Sequence, residues 1–344
     1  MKATQNKYDE KQVYASLAGS GNPWGALTRI RARILFALHD KLSIFDIATL
    51  FGKTTEDIEA EITPLIEANL LKKQNGIYSP TFIISDATET RRVTDHAQII
   101  GKKLAEQLLS RWEEIETVYS SLDVSQNYTF KEIGLMLVGS RLLDINLLEG
   151  LVQDGMILSA PNRPSPDRPD ARYYFWMVEG KPEDLGKYGQ EDIDLPWSNW
   201  SFLTFGRNII NDNPNAARND LEEKCRELIK SKKVETLKEL AKQLNVPIIN
   251  QLETEHWSEI VKSFIKDLVA VYRENEEELR NFYSSLNASA YAPYGLSELL
   301  CWHVHVAYAS AIDYLVKKNV VHMPLNQFSA VIWYQKHKRE GLLI

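Results

Sequence analysis

Between residues 41 and 84, apolar side chains recur at the spacing of two short amphipathic helices. The apolar positions are Ile44, Ile47, Ala48 and Phe51 in the first helix, and Ile58, Ile62, Leu65 and Ile66 in the second. Ser43 and Thr54 each stand directly before a helix, with an aspartate three residues later, which predicts two capping boxes. Gly52 is expected to end the first helix in the left-handed conformation that favours glycine.

A hairpin is expected directly after the second helix. Apolar residues lie on both sides of Asn75-Gly76, and this dipeptide suits a type I′ turn because both residues tolerate a positive φ. A further amphipathic helix, within residues 23–40, precedes the pair. The order of helix, turn, helix and hairpin is typical of a winged helix-turn-helix, a module that usually places one helix in the DNA major groove.

Residues 27–95 resemble the winged-helix domain of ArsR-type transcriptional regulators in the order of their elements. The cysteine box with which some of those regulators sense metals is absent from this segment. The resemblance implies a regulator of transcription that binds double-stranded DNA as a homodimer. It also implies a dimerisation helix after the wing, which we place near residues 95–121.

A set of basic and hydroxyl side chains is expected to contact DNA, because such groups donate hydrogen bonds to phosphate oxygens. The set is Arg29, Arg31, Arg33, Lys53, Thr54, Thr55, Lys72, Lys73, Arg163 and Arg168. The last two lie in a proline-dense loop before the β-prone segment 172–178, and we interpret this loop as a second wing. The alternative is a surface loop whose arginines pair with Asp167 and Asp170.

Charge weakens the DNA interpretation. The net charge is −7, and the first 100 residues hold twelve basic and twelve acidic side chains. The predicted recognition helix is itself acidic, with Glu56, Asp57, Glu59, Glu61 and Glu67. Carboxylates face phosphates poorly, although they accept a hydrogen bond from cytosine N4, and acids in a first helical turn also suit the helix dipole. The alternative function is a winged helix that binds a protein or a small molecule without DNA.

The chain also repeats itself at low identity. Residues 99–160 align without gaps onto 263–324, an offset of 164, and both segments contain the tetrapeptide YSSL. A second similarity, at an offset of 193, places 235–252 over the first helix-turn-helix. We interpret the C-terminal half as a copy of the N-terminal half that has lost its wing. Chance similarity between amphipathic helices is the competing explanation.

These features predict a mainly α-helical chain with small β wings, built as tandem winged-helix-like modules by internal duplication. The expected segments are an N-terminal arm (1–22), a winged helix-turn-helix domain (23–95), a connecting helix with a second winged-helix-like unit (96–180), an aromatic connector (181–214) and a helical domain (215–344). The connector is rich in tryptophan and phenylalanine, which favours a buried segment over a disordered linker.

Composition is that of an ordinary globular protein, with 44% apolar and 25% charged residues. No apolar run reaches the ~18 residues that span a bilayer, and the first residues lack the apolar core of a signal peptide. Two cysteines are too few for a disulfide framework and fit a reducing compartment. We therefore expect a cytoplasmic protein without a membrane partner.

Candidate chemistry is confined to the segment CWHVHVAY, which begins at Cys301. Cys301 and His305 would share a helix face, but no second pair stands at metal-ligand spacing, so neither a metal nor another cofactor is expected. Trp302, His305 and Tyr308 are the candidate binding residues for a small-molecule effector, because aromatic rings with polar groups suit a mostly apolar pocket. Core packing is the alternative. Since no catalytic motif is evident, we do not expect an enzyme.

Overall fold

The structure, a computed structural model, describes residue 8 and residues 10–335, apart from 165–167, 208, 211–212 and 215–218. It is mainly helical with small sheets. The α-helices are α1 (Arg29–His39), α2 (Ile44–Phe51), α3 (Thr55–Glu67), α4 (Ala87–Leu109), α5 (Trp112–Ser120), α6 (Phe130–Gly134), α7 (Leu147–Gln153), α8 (Asn219–Lys230), α9 (Leu237–Leu244), α10 (Gln251–Glu274), α11 (Glu276–Ser284) and α12 (Gly295–Lys317). A π-helix, Leu135–Asn146, joins α6 to α7.

The strands are β1 (Val13–Gly19), β2 (Leu71–Gln74), β3 (Ile77–Pro80), β4 (Ile83–Ser85), β5 (Tyr173–Glu179), β6 (Tyr188–Asp194), β7 (Trp200–Arg207), β8 (Ile209–Ile210), β9 (Asn213–Pro214), β10 (Ile248–Ile249) and β11 (Phe328–Tyr334). Short 3₁₀ turns lie at Trp24–Ala26, Asp123–Gln126, Pro182–Leu185 and Asn287–Ala290. The strands form two larger sheets and two isolated hairpins, β2–β3 and β8–β9.

Local sequence signals determine where α2 and α3 begin and end. Ser43 and Thr54 accept hydrogen bonds from the backbone N–H groups of Asp46 and Asp57, both at 3.1 Å, and each aspartate accepts one in return. Gly52 ends α2 at a φ of 63°. The predicted capping boxes and the glycine stop are confirmed.

The hairpin after α3 turns at Asn75 and Gly76, whose φ angles are 51° and 80°. Leu71 pairs with Pro80, and Gln74 pairs with Ile77, in antiparallel register. Because both central residues of this two-residue connection have positive φ, the predicted turn is confirmed.

The two larger sheets share one arrangement. In the first, β5 is the central strand, antiparallel to β1 and parallel to β4. In the second, β11 lies between β7, to which it is antiparallel, and β10, to which it is parallel. β6 adds a further antiparallel strand beside β7. In both sheets the connection between the parallel strands runs through a long helix, a short helix and a further helical segment.

Three predicted segments differ from the structure. Residues 13–19, assigned to an arm, form β1 at the edge of the first sheet. Residues 172–178 do not return a second wing, because β5 is almost entirely buried and is paired on both sides. Residues 181–214 are more than a connector, since β6 and β7 form one sheet with β11 of the C-terminal segment.

The helical elements recur along the chain at a fixed spacing. α4, α5 and the 3₁₀ turn after α5 begin 164 positions before α10, α11 and the 3₁₀ turn after α11. Internal hydrogen bonds recur at the same spacing. Tyr119 donates to the carbonyl oxygen of Tyr128, and Tyr283 donates to that of Ala292. The segment 251–290 therefore has the same order of helical elements as the segment 87–126.

Contacts between the two halves are reciprocal at several positions. In each matched pair of contacts, the first-half residue of one contact corresponds, 164 positions later, to the second-half residue of the other. The second-half residue of the first contact corresponds, 164 positions earlier, to the first-half residue of the other. The matched contacts are Arg92–Ser285 with His256–Ser121, and Lys103–Asn275 with Arg111–Asp267, at 2.6–3.1 Å. Reciprocity of this kind is the rule at a two-fold interface between identical subunits.

The main apolar core surrounds α4 and α12, which form the most extensive helix–helix contact of the described residues. Gly101 permits this approach, because a Cβ at that position would stand 2.3 Å from the carbonyl oxygen of Ala307. A second core joins α1, α2 and α3 to one face of the first sheet. A third core fixes α8 and α9 on the second sheet. The α1–α3 unit thus rests on the first sheet through its own apolar contacts.

Candidate nucleic-acid interface

The connection between α2 and α3 places polar groups at the surface. Lys53 and Thr54 are exposed, and Thr55, the first residue of α3, is half-buried. Asp57 and Glu56 follow in the first turn of α3, and hydrogen bonds at the helix start lower the pKa of both carboxyl groups. Both acids therefore stabilise the start of α3, which gives them a structural role that does not depend on any ligand.

The hairpin contributes two more predicted cations. Lys73 is exposed and Lys72 is half-buried on β2. The Lys73 ammonium lies 4.6 Å from the centre of the Tyr78 ring, and interaction with Tyr78 raises the lysine pKa. The Tyr78 hydroxyl donates to the Glu59 carboxylate at 3.3 Å. The hairpin is thereby fastened to α3, while Lys73 remains exposed.

The arginines of α1 differ in accessibility. Arg29 is exposed at the start of the helix. Arg31 is half-buried: its Nε donates to the Glu61 carboxylate at 3.0 Å, and Nη1 donates to the Ala26 carbonyl oxygen at 3.3 Å. Arg33 is half-buried and has an intramolecular interaction of its own. Arg31 and its ion pair therefore fix α1 against α3, and only Arg29 is fully at the surface.

The prediction that Arg163 contacts DNA is wrong. Its guanidinium is buried, forms an ion pair with the buried Glu298 carboxylate at 2.6 Å, and donates to two backbone carbonyl oxygens at 2.8 Å. The sequence places this arginine in a proline-dense segment typical of a surface loop, but the Arg163 side chain is buried and neutralises a carboxylate. Arg168 is exposed and donates to the Ser20 carbonyl oxygen at 2.9 Å.

The predicted effector residues lie side by side on α12 and are packed in the core. Trp302 and Tyr308 are completely buried, and each donates to a backbone carbonyl oxygen, at 2.7 and 2.8 Å. The His305 imidazole is 14% exposed, and its Nδ1 lies 2.7 Å from the Cys301 carbonyl oxygen. Since these polar groups are satisfied by backbone atoms, the geometry favours core packing for all three side chains.

Cys301, His305 and Asp144 stand in the order of a nucleophile, a base and an orienting acid, yet their geometry does not activate the thiol. His305 Nδ1 is 4.0 Å from Cys301 Sγ, and His305 Nε2 is 4.0 Å from an Asp144 carboxylate oxygen. The shorter contact of Nδ1, to a carbonyl oxygen, requires that this nitrogen carry the proton. Burial raises the pKa of the Cys301 thiol and lowers that of His305 to about 4.

Thiol reactivity tests this assignment. Both cysteines are fully buried, and burial also raises the pKa of Cys225 to about 11. We expect neither thiol to react with DTNB in the folded chain near neutral pH, and both to react after unfolding in guanidinium chloride, because the thiolate is the reactive species. Rapid reaction of one thiol in the native protein would show that Cys301 or Cys225 is accessible and activated.

Two exposed apolar side chains on α2 and the β2–β3 hairpin were not anticipated from the sequence. Phe45 on α2 is 70% exposed, and Ile77 on the hairpin is 67% exposed. Phe45 lies outside the apolar stripe of α2, and this position is the sequence signal that its side chain faces solvent.

A further group that the sequence reasoning missed is a set of lysines on and before α9, within residues 230–242. The signal for these is the run KSKK followed by two lysines four residues apart.

Comparison with protein-family models, with curated proteins and with solved structures finds no match for this chain. Within the described part of the chain, no group of three or more His, Cys, Asp or Glu side chains could hold a metal ion. One described helix, α12, is long and apolar enough to span a membrane, and 72% of the 18-residue window concerned is buried inside the protein. This burial is consistent with the core helix of a soluble protein.

Proposed function

We propose that the chain is a DNA-binding regulator of transcription and that residues 27–95 are a winged helix-turn-helix of the ArsR type. The observation that carries the proposal is the succession of α2, the Gly52 turn, α3 and the β2–β3 hairpin, with exposed cations at Lys53 and Lys73. In modules of this order, one helix lies in the major groove, and flanking cations bind the phosphates that fix its position.

The acidic surface of α3 determines which DNA contacts the proposal assigns to this helix. Affinity comes from Arg29, Lys53 and the wing lysines, which bind phosphates and carry no sequence information. Ala60 and Thr63 are exposed on α3, and methyl groups of this kind contact the thymine methyl group in the major groove. Glu59 accepts a hydrogen bond from cytosine N4. The proposed readout thus uses apolar and acceptor contacts on α3, with cations at its borders.

An internal duplication is part of the proposal. The shared strand order, the recurrence at 164 positions and the reciprocal contacts support it. The offset from α2 to α9 is 193 positions, whereas that from α4 to α10 is 164, so 29 positions are missing from the second half. In the first half the equivalent positions hold α3 and the hairpin. The second copy has therefore lost the recognition helix together with the wing.

The loss of the recognition helix from the second copy also determines the oligomeric state that we propose. A chain with one complete reading module needs a second chain to occupy both half-sites of a two-fold symmetric operator, so we include a homodimer in the proposal. We also include a cytoplasmic location in the proposal. No effector is assigned to Trp302, His305 and Tyr308, because their side chains are packed and bonded inside the core.

Substitution of the cations around α3 tests the proposal. The variant Lys53→Ala/Lys72→Ala/Lys73→Ala should bind duplex DNA about tenfold more weakly or worse, since each lost phosphate contact lowers the slope of log K against log salt by about 0.9. The measurement is fluorescence anisotropy with labelled duplexes tiled across the DNA upstream of the chain's own coding sequence, from about 50 to 200 mM salt.

A matched variant controls for the change in charge. Lys102→Ala/Lys262→Ala/Lys266→Ala removes three exposed lysines from α4 and α10 and should bind like the unmodified chain. If the unmodified, folded chain binds none of the duplexes at low salt, the proposed function is wrong.

A protein-binding module is the second candidate function, and a specific observation favours it. Phe45 and Ile77 expose apolar surface close in sequence to the acidic side chains of α3, and exposed aromatic residues are typical of protein interfaces. Failure of the folded chain to bind DNA, together with a tight complex that Phe45→Ala weakens in a pull-down experiment, would favour this function over the first.

A further inference from the structure

The α8–α9 unit occupies the place in the second half that α1 and α2 occupy in the first. In chain order, α1 and α2 lie between β1 and β4, the two strands that flank β5 in the first sheet. In the same way, α8 and α9 lie between β7 and β10, which flank β11 in the second sheet. α9 begins with a capping box at Thr236, as α2 does at Ser43, and ends at Asn245 in the left-handed conformation, as α2 does at Gly52. Because no counterpart of α3 follows, the chain proceeds directly from Asn245 to β10.

Five exposed lysines lie within residues 230–242 of this unit: Lys230, Lys232, Lys233, Lys238 and Lys242. None of them forms an ion pair with a described residue, whereas Lys102 and Lys262 pair with acids on their own helices. Two glutamates lie within the same segment, 230–242. One of these, Glu239, is turned back to accept the backbone N–H groups of Glu235 and Thr236. The segment therefore presents net positive charge on a chain whose total is −7.

Helix stability does not explain all of these lysines. Lys230 lies in the last turn of α8, where a cation suits the helix dipole. Lys238 is the second residue of α9, where a cation opposes the dipole and costs about 0.3–1 kcal/mol. Residues that break a local preference without a structural gain are expected mainly at functional sites. The position of Lys238 thus points to an external anion.

We propose that the lysines of residues 230–242, the α8–α9 lysines, bind the phosphate backbone of duplex DNA. In this arrangement the first half reads the base sequence, and the second half acts as a clamp that holds the DNA without reading its sequence. The inference rests on the proposed function and assigns a DNA contact to the copy that has no recognition helix. A positive patch on an acidic chain binds phosphates locally, while the rest of the surface is repelled. Lysine is a point charge without bidentate geometry, which suits contacts that do not distinguish bases.

The test is the variant Lys233→Ala/Lys238→Ala/Lys242→Ala, compared with the α4/α10 control Lys102→Ala/Lys262→Ala/Lys266→Ala. The positions changed in the test variant lie outside the hydrophobic cores, so circular dichroism should show an unchanged fold. Binding is measured by anisotropy, from about 50 to 200 mM salt, on the tightest upstream duplex and on a random-sequence duplex of equal length.

We expect the α8–α9 variant to bind both duplexes more weakly, with a salt slope reduced by about 2.7, or 0.9 for each of three contacts, while the control keeps its slope. The affinity ratio between the two duplexes should stay constant, since phosphate contacts carry no sequence information. An unchanged slope in the α8–α9 variant, with binding that still depends on Lys53, Lys72 and Lys73, overturns the clamp and leaves the proposed function intact. Absence of binding by the unmodified chain overturns both.

Discussion

Arg163→Ala is expected to destabilise the fold by about 3–5 kcal/mol, because it leaves the Glu298 carboxylate buried without a counter-charge. The two side chains are 3% and 0% exposed, and their charged atoms are 2.6 Å apart. The Glu298 carboxylate also accepts from the backbone N–H group of Ile83 in β4, at 3.2 Å. The pair thus joins α12 to the first sheet, and urea denaturation followed by circular dichroism measures its contribution.

The loss of stability in Arg163→Ala should become smaller as the pH is lowered. Burial raises the pKa of Glu298, and the Arg163 charge opposes this rise in the unmodified chain. Without Arg163 the pKa rises further above its value in the unfolded chain, so the folded state binds a proton that the unfolded state releases. Stability is therefore higher below the folded-state pKa and falls as the pH rises through it, which predicts a smaller loss near pH 5 than near pH 7.

Two further variants keep this prediction testable. Arg168→Ala changes an exposed arginine of the same loop and should stay within about 0.5 kcal/mol of the unmodified chain. Arg163→Met/Glu298→Gln removes both charges while keeping an acceptor for the backbone, and it should recover part of the lost stability. A loss that is equal at both pH values, with no recovery in the double variant, would contradict the assignment of the effect to a buried charge.

Local chemistry is what made α2, α3 and the β2–β3 hairpin predictable. Ser43 with Asp46, and Asn75 with Gly76, act on neighbouring residues, and their effects on helix starts and on the hairpin need no information from distant parts of the chain. The candidate contacts on these elements, such as Lys53 and Lys73, are exposed for the same reason, since caps and turns lie at the surface.

Long-range contacts are what the sequence pattern could not supply. β1 is seven residues long, and its identity as a strand depends on pairing with β5, about 160 positions away. Arg163 is drawn inward by Glu298, which lies 135 positions later, and neither residue stands out in its own segment. The ungapped repeat indicated which helices correspond, but the exchange of contacts between the halves becomes visible only in three dimensions.

The two long helices offer a matched pair of substitutions. Glu89 of α4 and Glu253 of α10 stand 164 positions apart, and each closes the capping box of its own helix. Each also reaches the other half: Glu89 accepts from the Asn287 N–H at 2.8 Å, and Glu253 accepts from the Val124 N–H at 2.7 Å. Both side chains therefore satisfy the start of a helix and a backbone donor of the 3₁₀ turn in the opposite half.

Glu89→Ala and Glu253→Ala should each cost about 2–4 kcal/mol, the sum of a lost cap and an unpaired backbone N–H group. The glutamine variants keep an acceptor oxygen and should lose less, which separates the hydrogen bonds from general effects of substitution. Urea denaturation of all four variants is the measurement. Because reciprocal contacts descend from a two-fold arrangement in the proposed duplication, the two alanine variants should lose similar amounts. A large loss at one glutamate and none at the other would mean that the two positions share geometry without sharing a role, and this pair would then no longer support the duplication.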